Sequence, residues 1–404
     1  MNLNISFFMI FFLYLLPTHV LSEDGLSKIL RKAILRGGYE SPQSLYVNNE
    51  EELASEGEVL FKSKHMSLNS DVSCSTCHIS SHGSSDGISN AAGIGGSGEG
   101  KERLLSGARI VPRNTLGFWG VGSKGFKVFF WDGRVDFSHY KVISQFGSNL
   151  PSKDPLVTSV HIPVVEIRET LEEDAFIISH TQESTITAVS VYKAIVENLK
   201  THERKTIEKI ADKIGINYNE VTYLHVATSV ASFIRKEFQI KNTVLNEFVT
   251  NRKSLTSKQL EGGILFYGKG NCASCHNGPH FTDQKFYTVP FPQLGFGKNG
   301  FGIDYGRYNV TFNPDDLYKF RTPSLYNNGK TAPYGHSGSV MTLYDSIKAH
   351  YDPLSIVNIN EYDELQRHEY YKYLSKSDTV NRVNFLTDSE VLLIIEFLRI
   401  LDFD

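Results

Sequence analysis

The pentapeptides Cys74-Ser-Thr-Cys77-His78 and Cys272-Ala-Ser-Cys275-His276 use every cysteine of this 404-residue chain. A pair of cysteines alone fits a disulfide, a zinc site or a redox centre. A His directly after each pair favours haem attachment instead. Two thiols three positions apart reach the two vinyl groups of a haem, and the adjoining imidazole turns to the iron. Cys74, Cys77 and His78 are therefore expected to hold one covalently bound haem c, and Cys272, Cys275 and His276 a second.

The segments before the motifs are alike. Gly57-Glu-Val-Leu60-Phe61 precedes the first and Gly262-Gly-Ile-Leu265-Phe266 the second, each reading as the end of an amphipathic helix. Val191 to Asn198 and Tyr218 to Phe238 have helical spacing. Thr387-Asp-Ser-Glu390 has the form of a capping box, with Val391, Leu392, Ile394, Ile395, Leu398 and Leu401 behind it at helical spacing. The expectation is an all-α chain with long loops, divided into an amino-terminal unit over 23–245 and a carboxy-terminal unit over 246–404. The Gly- and Ser-rich run His82 to Gly100 reads equally as a surface loop or as a gate over the first haem.

A hydrophobic fraction of 40% supports ordinary cores, and a net charge of -4 gives no sign of a nucleic-acid partner. The apolar run Phe7 to Leu16 is too short to span a bilayer. With Val20, Leu21 and Ser22 after it, residues 1–22 read as a signal peptide cleaved after Ser22, with an uncleaved anchor as the alternative. The expected location is the periplasm, without a stable membrane span in the mature chain.

Five further segments resemble the bacterial dihaem cytochrome c peroxidases, including their tryptophan-modifying relatives of the MauG type. They are Pro112-Arg113-Asn114, Phe130-Trp131-Asp132-Gly133-Arg134, Ile162-Pro163-Val-Val-Glu166, Phe320-Arg-Thr-Pro323-Ser-Leu325 and Ala332-Pro333-Tyr334-Gly-His336-Ser-Gly338. The resemblance implies two cytochrome c-like domains, the second haem passing electrons to a first haem where peroxide is cleaved. Trp131 matches the tryptophan bridging the haems, and Glu166 the acid/base of the peroxide site, with Glu169 as its nearest competitor. Asn114 matches the side-chain ligand of one calcium ion, with backbone oxygens from Thr331 and Pro333.

Three departures from the family pattern matter. The stretch between Trp131 and Glu166 is long, and Ile167 stands where the motif normally has Met. Resting peroxidases of the family often carry a distal His about sixteen residues beyond the proximal one, where this chain has Gly93-Ile94-Gly95-Gly96. His82 is the nearest alternative, better suited to a surface role. Finally, His350 stands where the peroxidases carry Met and the MauG type carries Tyr, which makes it the expected second ligand of the iron of His276, with Tyr351 and Met341 as alternatives. The implied activity is reduction of hydrogen peroxide to water with electrons from a small periplasmic redox protein. The alternatives are a MauG-like oxidase acting on a protein substrate and a dihaem electron carrier; a homodimer is left open.

Overall fold

The computed structural model describes residues 23–47, 52–172 and 185–404. The proposed signal segment lies outside them. Among these residues the chain is mostly α, with long loops whose strands are only two residues each, grouped as four small antiparallel sheets. Among the described residues, no helix is long and apolar enough to cross a membrane.

Six helices place the haem motifs: α1 (Glu23–Arg36), α2 (Ala54–Lys62), α3 (Tyr223–Glu237), α4 (Ser257–Tyr267), α5 (Leu343–Lys348) and α6 (Asp388–Leu398). Helix α2 packs on α3, and α4 on α6. The repeat in the sequence is the footprint of these two crossings. A Cβ on Gly57 would lie 1.8 Å from the Ser229 carbonyl oxygen, and one on Gly262 would lie 1.9 Å from that of Leu393. Backbone meets backbone at both points, so only glycine fits. One turn later Phe61 meets Phe233 with ring centroids 5.1 Å apart, and Phe266 meets Phe397 at 5.3 Å. Each pair fixes the helix end from which a haem motif departs.

One helix differs from its sequence reading. The run Tyr218 to Phe238 is interrupted: a 3-10 turn over Tyr218–Glu220 is followed by Thr222, whose side chain forms a capping box with His225 to start α3 afresh. The capping box at Thr387 and Glu390 forms as read and begins α6. Helix α1, which precedes the first motif in the chain, lies on α4 of the second half. Its buried Leu30 and Ile34 face that helix, and Leu30 fills the space left by Gly263.

Candidate haem and peroxide sites

His78 follows the one-turn helix Cys74–Cys77. Its Nδ1 lies 2.9 Å from the Ser84 carbonyl oxygen. A carbonyl only accepts, so Nδ1 carries the proton and Nε2 keeps its lone pair. Phe118 stacks on the imidazole at 3.7 Å and 17°, and its own N–H donates to Ser84 Oγ at 2.6 Å. His276 repeats the arrangement with Nδ1 3.2 Å from the Phe281 carbonyl oxygen. Burial pushes both imidazoles down to about 4, so both are neutral, the form that binds a metal.

His276 lines a cavity together with Cys272, Cys275, Phe266 and, from the turn after α5, His350. His350 directs Nδ1 to the Ser346 carbonyl oxygen at 2.8 Å, which again leaves Nε2 free. The other two candidates for this position are turned away from it. The Tyr351 hydroxyl donates to the Leu386 carbonyl at 3.2 Å, and Met341 is 65% exposed. α5 ends at Lys348, and the turn beyond it sets His350 and Tyr351 apart.

The surroundings of His78 are different. Glu166 leaves a 3-10 turn, Pro163–Val165, with Oε1 2.5 Å from Arg134 Nη1 and Oε2 3.3 Å from Lys298 Nζ. Burial raises its proton affinity, but Lys298 and Arg134 outweigh that and hold the carboxyl below its ordinary range. Arg134 also grips Asp132; Asp132 accepts from Arg113 at 2.6 Å, and Arg113 makes a two-pronged contact to Asp304 at 2.8 and 2.9 Å. Glu169 is the opposite case. Burial, then the charge of Glu166, push its carboxyl up to about 7. Burial first, and then the charge of Glu169, raise the Cys74 thiol; the Glu169 backbone packs on Gly93, next to Ala92, whose carbonyl accepts from Cys77 Sγ at 3.7 Å, so Glu169 lies near the first motif.

The loop without a His is pinned in place. The buried Arg103 donates to the carbonyls of Gly93 and Gly96, both at 2.8 Å, and pairs with Asp71 at 3.0 Å. Gly95 N–H donates to the same Asp71 carboxylate, and Ile94 N–H to the Arg168 carbonyl. His82 is exposed, its ring against Gly87.

Trp131, Asn114, Thr331 and Pro333 all line the cavity of His276. Trp131 Nε1 donates to the Asn114 carbonyl at 2.8 Å, and the next residue, Asp132, begins the ion-pair chain to Glu166. The Asn114 amide nitrogen lies 2.7 Å from the Pro333 carbonyl oxygen, while its Oδ1 is buried without a partner among the described residues. A cation held by the Pro333 oxygen would need that amide turned over, since an NH2 group repels it. No group of three His, Cys, Asp or Glu capable of holding a metal occurs among the described residues.

Sequence reading missed Lys298, Arg103 and the Phe118 stack. Lys298 sits in the turn that joins the paired strands Phe296–Gly297 and Gly300–Phe301, more than 130 positions from Glu166, and no local pattern links them.

The family described as di-haem cytochrome c peroxidase matches residues 51–254 of this chain. The chain belongs to that family. The cytochrome-c peroxidase IdrP2 of Denitromonas iodatirespirans is 26% identical over 309 residues, covering 71% of this chain and 70% of its own. The methylamine utilization protein MauG of Methylorubrum extorquens is 25% identical over 295 residues, covering 73% and 67%. The solved structure of the diheme peroxidase BthA from Burkholderia thailandensis superposes with a TM-score of 0.63 at 18% identity, over 90% of this chain and 89% of that one. Membership in the di-haem peroxidase family implies two haem cofactors. The donor sets fit that number, each with two thiols and a neutral imidazole whose Nε2 is unspent, and the second lines a cavity.

Proposed function

We propose that this chain is a periplasmic dihaem peroxidase that reduces hydrogen peroxide to water at the site of His78, with electrons entering at the site of His276. The observation that carries the reading is the inequivalence of the two sites. The His276 imidazole shares its cavity with a second imidazole, that of His350, whereas the cysteines of the first motif have Glu169 near them and Glu166 next to it, two unlike carboxyl groups. Haem c at each motif, held by Cys74 and Cys77 or by Cys272 and Cys275, supplies the iron that binds peroxide and the store of electrons. His350, which shares that cavity and has its Nε2 unspent, would be the second residue to hold the iron at this site and would keep peroxide from it. A His in place of Met lowers the reduction potential of that site.

The chain's own contribution to cleavage is proton handling. Peroxide takes up two electrons and two protons to give two waters, and one proton must move from one oxygen to the other. A carboxyl that titrates near the working pH does this best. Glu169 has that property and Glu166 does not, because Arg134 and Lys298 keep Glu166 ionised. In this assignment Glu166 is the fixed charge that raises the proton affinity of Glu169, and the pair replaces a single acid/base. Trp131, on the wall of the second cavity and hydrogen-bonded to Asn114, carries electrons between the sites. A calcium ion at Asn114, Thr331 and Pro333 belongs to the same proposal, with the amide turned so that Oδ1 faces the ion.

Stopped-flow mixing of reduced holoprotein with micromolar peroxide tests the function. Rapid oxidation of both haems supports it, and no oxidation refutes it. The oxidase reading is favoured by one observation, the absence of both the distal His and the Met ligand. It predicts a long-lived oxidised state after peroxide and weak turnover with a reduced cytochrome.

A further inference from the structure

Helix α1 carries an exposed stripe that the fold does not use. Lys28, Ile29, Lys32, Leu35 and Arg36 lie at positions i, i+1, i+4, i+7 and i+8, one face of a helix, and all five are exposed. The two aliphatics are 46% and 53% exposed. The opposite face, Leu30 and Ile34, is fully buried. Arg31 is spent inward, donating to the Phe248 carbonyl at 3.2 Å and lying over the Phe248 ring. Arg252 and Lys253 follow the short helix of Phe248 and are exposed as well. The acidic groups nearby are few: Asp24 pairs with Lys28 in full solvent, Glu23 is bonded to Ser257, and Glu247 is paired with Lys253. A chain of net charge -4 thus carries a local positive face.

The position of this face matters more than its charge. α1 runs alongside α4: Glu23 meets Ser257 at the start of α4, and Gly37 meets Tyr267 at its end. Directly after Arg36, the Gly37 carbonyl accepts from the N–H of Gly278 at 2.7 Å, and Gly278 is two residues past His276. The stripe therefore begins beside the second haem motif and leads away over the eight positions from Arg36 back to Lys28, about 12 Å at the helical rise. The cavity of His276 reaches the surface nearby, where Asn271 and Ser274 line it and are exposed.

We propose that α1 is the docking face for the electron donor, and that the donor is a small redox protein with an acidic surface around its own redox centre. This rests on the peroxidase reading and names its partner class. Lys28, Lys32 and Arg36 steer the acidic partner, while Ile29 and Leu35 supply the apolar contact that a transient redox complex needs. The transfer is one electron: the donor metal is oxidised by one unit, the iron of the second site is reduced by one, and no atom moves.

The test compares two reduced small c-type cytochromes of similar size, one acidic and one basic, as donors to the holoprotein. The readout is the reduction of the second haem, followed by stopped flow. The acidic cytochrome should react faster at low ionic strength, its rate should fall as salt rises, and K28E/K32E/R36E should slow it by about tenfold or more at low salt. A neutral small reductant should reduce wild type and variant alike, which shows that the variant is folded and its second haem intact. An unchanged rate with the acidic cytochrome in the variant, or a faster reaction with the basic one, overturns the proposal. So does binding of wild type to phosphatidylglycerol vesicles that the variant loses while its cytochrome kinetics stay the same, since the stripe then serves a membrane. Complex formation with the zinc-substituted acidic cytochrome, measured by calorimetry, separates docking from activity. Binding that the variant loses supports the docking face even if peroxide turnover fails.

Discussion

Glu166 and Glu169 are three positions apart and lie in opposite electrostatic surroundings. Glu166 is fixed by Arg134 and Lys298, whereas Glu169 titrates near 7 because burial and Glu166 both oppose its charge. Glu169→Gln should therefore slow peroxide cleavage by about 10²- to 10⁴-fold while leaving both haem spectra in place. Glu166→Gln should act through its neighbour: with that charge gone, the Glu169 carboxyl shifts toward its ordinary value, and the pH profile of cleavage moves to lower pH. If Glu166→Gln abolishes cleavage and Glu169→Gln does not, the two roles are reversed. A stability signature accompanies this. The folded chain binds the Glu169 proton more tightly than the unfolded chain, whose carboxyl sits near 4.5. This contribution to stability is thus complete below about 4.5, is lost as pH rises to about 7, and is flat above. Urea unfolding of Glu169→Gln across that window should lack the slope. At the second site, His350→Met should raise the potential of its haem and His350→Ala should open it to added imidazole. An unaltered second-haem spectrum in both variants would assign the ligand elsewhere. The two donor sets were legible in the sequence, because each is spelled in five consecutive residues. The division of labour between Glu166 and Glu169 was not, since it depends on Lys298 arriving from the other half of the chain.

The crossings of α2 with α3 and of α4 with α6 rest on Gly57 and Gly262. The sequence showed these as a faint repeat; their meaning lies in a backbone contact that no side-chain pattern encodes. Alanine at either position gains about 1 kcal/mol of helix propensity but forces two backbones apart. The expected net loss is about 1–3 kcal/mol, read as a lower Tm for Gly57→Ala and for Gly262→Ala. An unchanged Tm would mean that the helices separate freely. The loop Gly93–Gly96 is the second element to test. It is part of the run His82 to Gly100, which the sequence left as either a surface loop or a gate, and Arg103 pins this part of it by tying two of its carbonyls to Asp71. Arg103→Ala strands those carbonyls and the carboxylate. The cost should be about 3 kcal/mol, the low end for a broken buried pair, because the Asp71 side chain keeps 24% of its exposure. Proteolytic cutting within this loop should appear in the variant and not in wild type.

Across the whole molecule the two halves share a plan, and in the function proposed here they differ in how each would complete its iron. The sequence conveyed the plan, a mostly α chain with two haem motifs, because the motifs and the helix before each recur. It did not convey that α1 belongs against α4, since amphipathic spacing marks a face to bury without naming the surface that buries it. Nor did it reveal the ion-pair chain from Glu166 through Arg134, Asp132 and Arg113 to Asp304, which links segments as far apart as 191 positions. The central claim is that one site closes its iron with two imidazoles and the other leaves a position for peroxide. Electron paramagnetic resonance of the oxidised holoprotein tests this directly. The account predicts one low-spin signal of the bis-imidazole type and one signal from an iron that is five-coordinate or water-bound. The low-spin signal should be lost in His350→Ala. Two low-spin, protein-ligated irons, or a low-spin signal that survives His350→Ala, would contradict it.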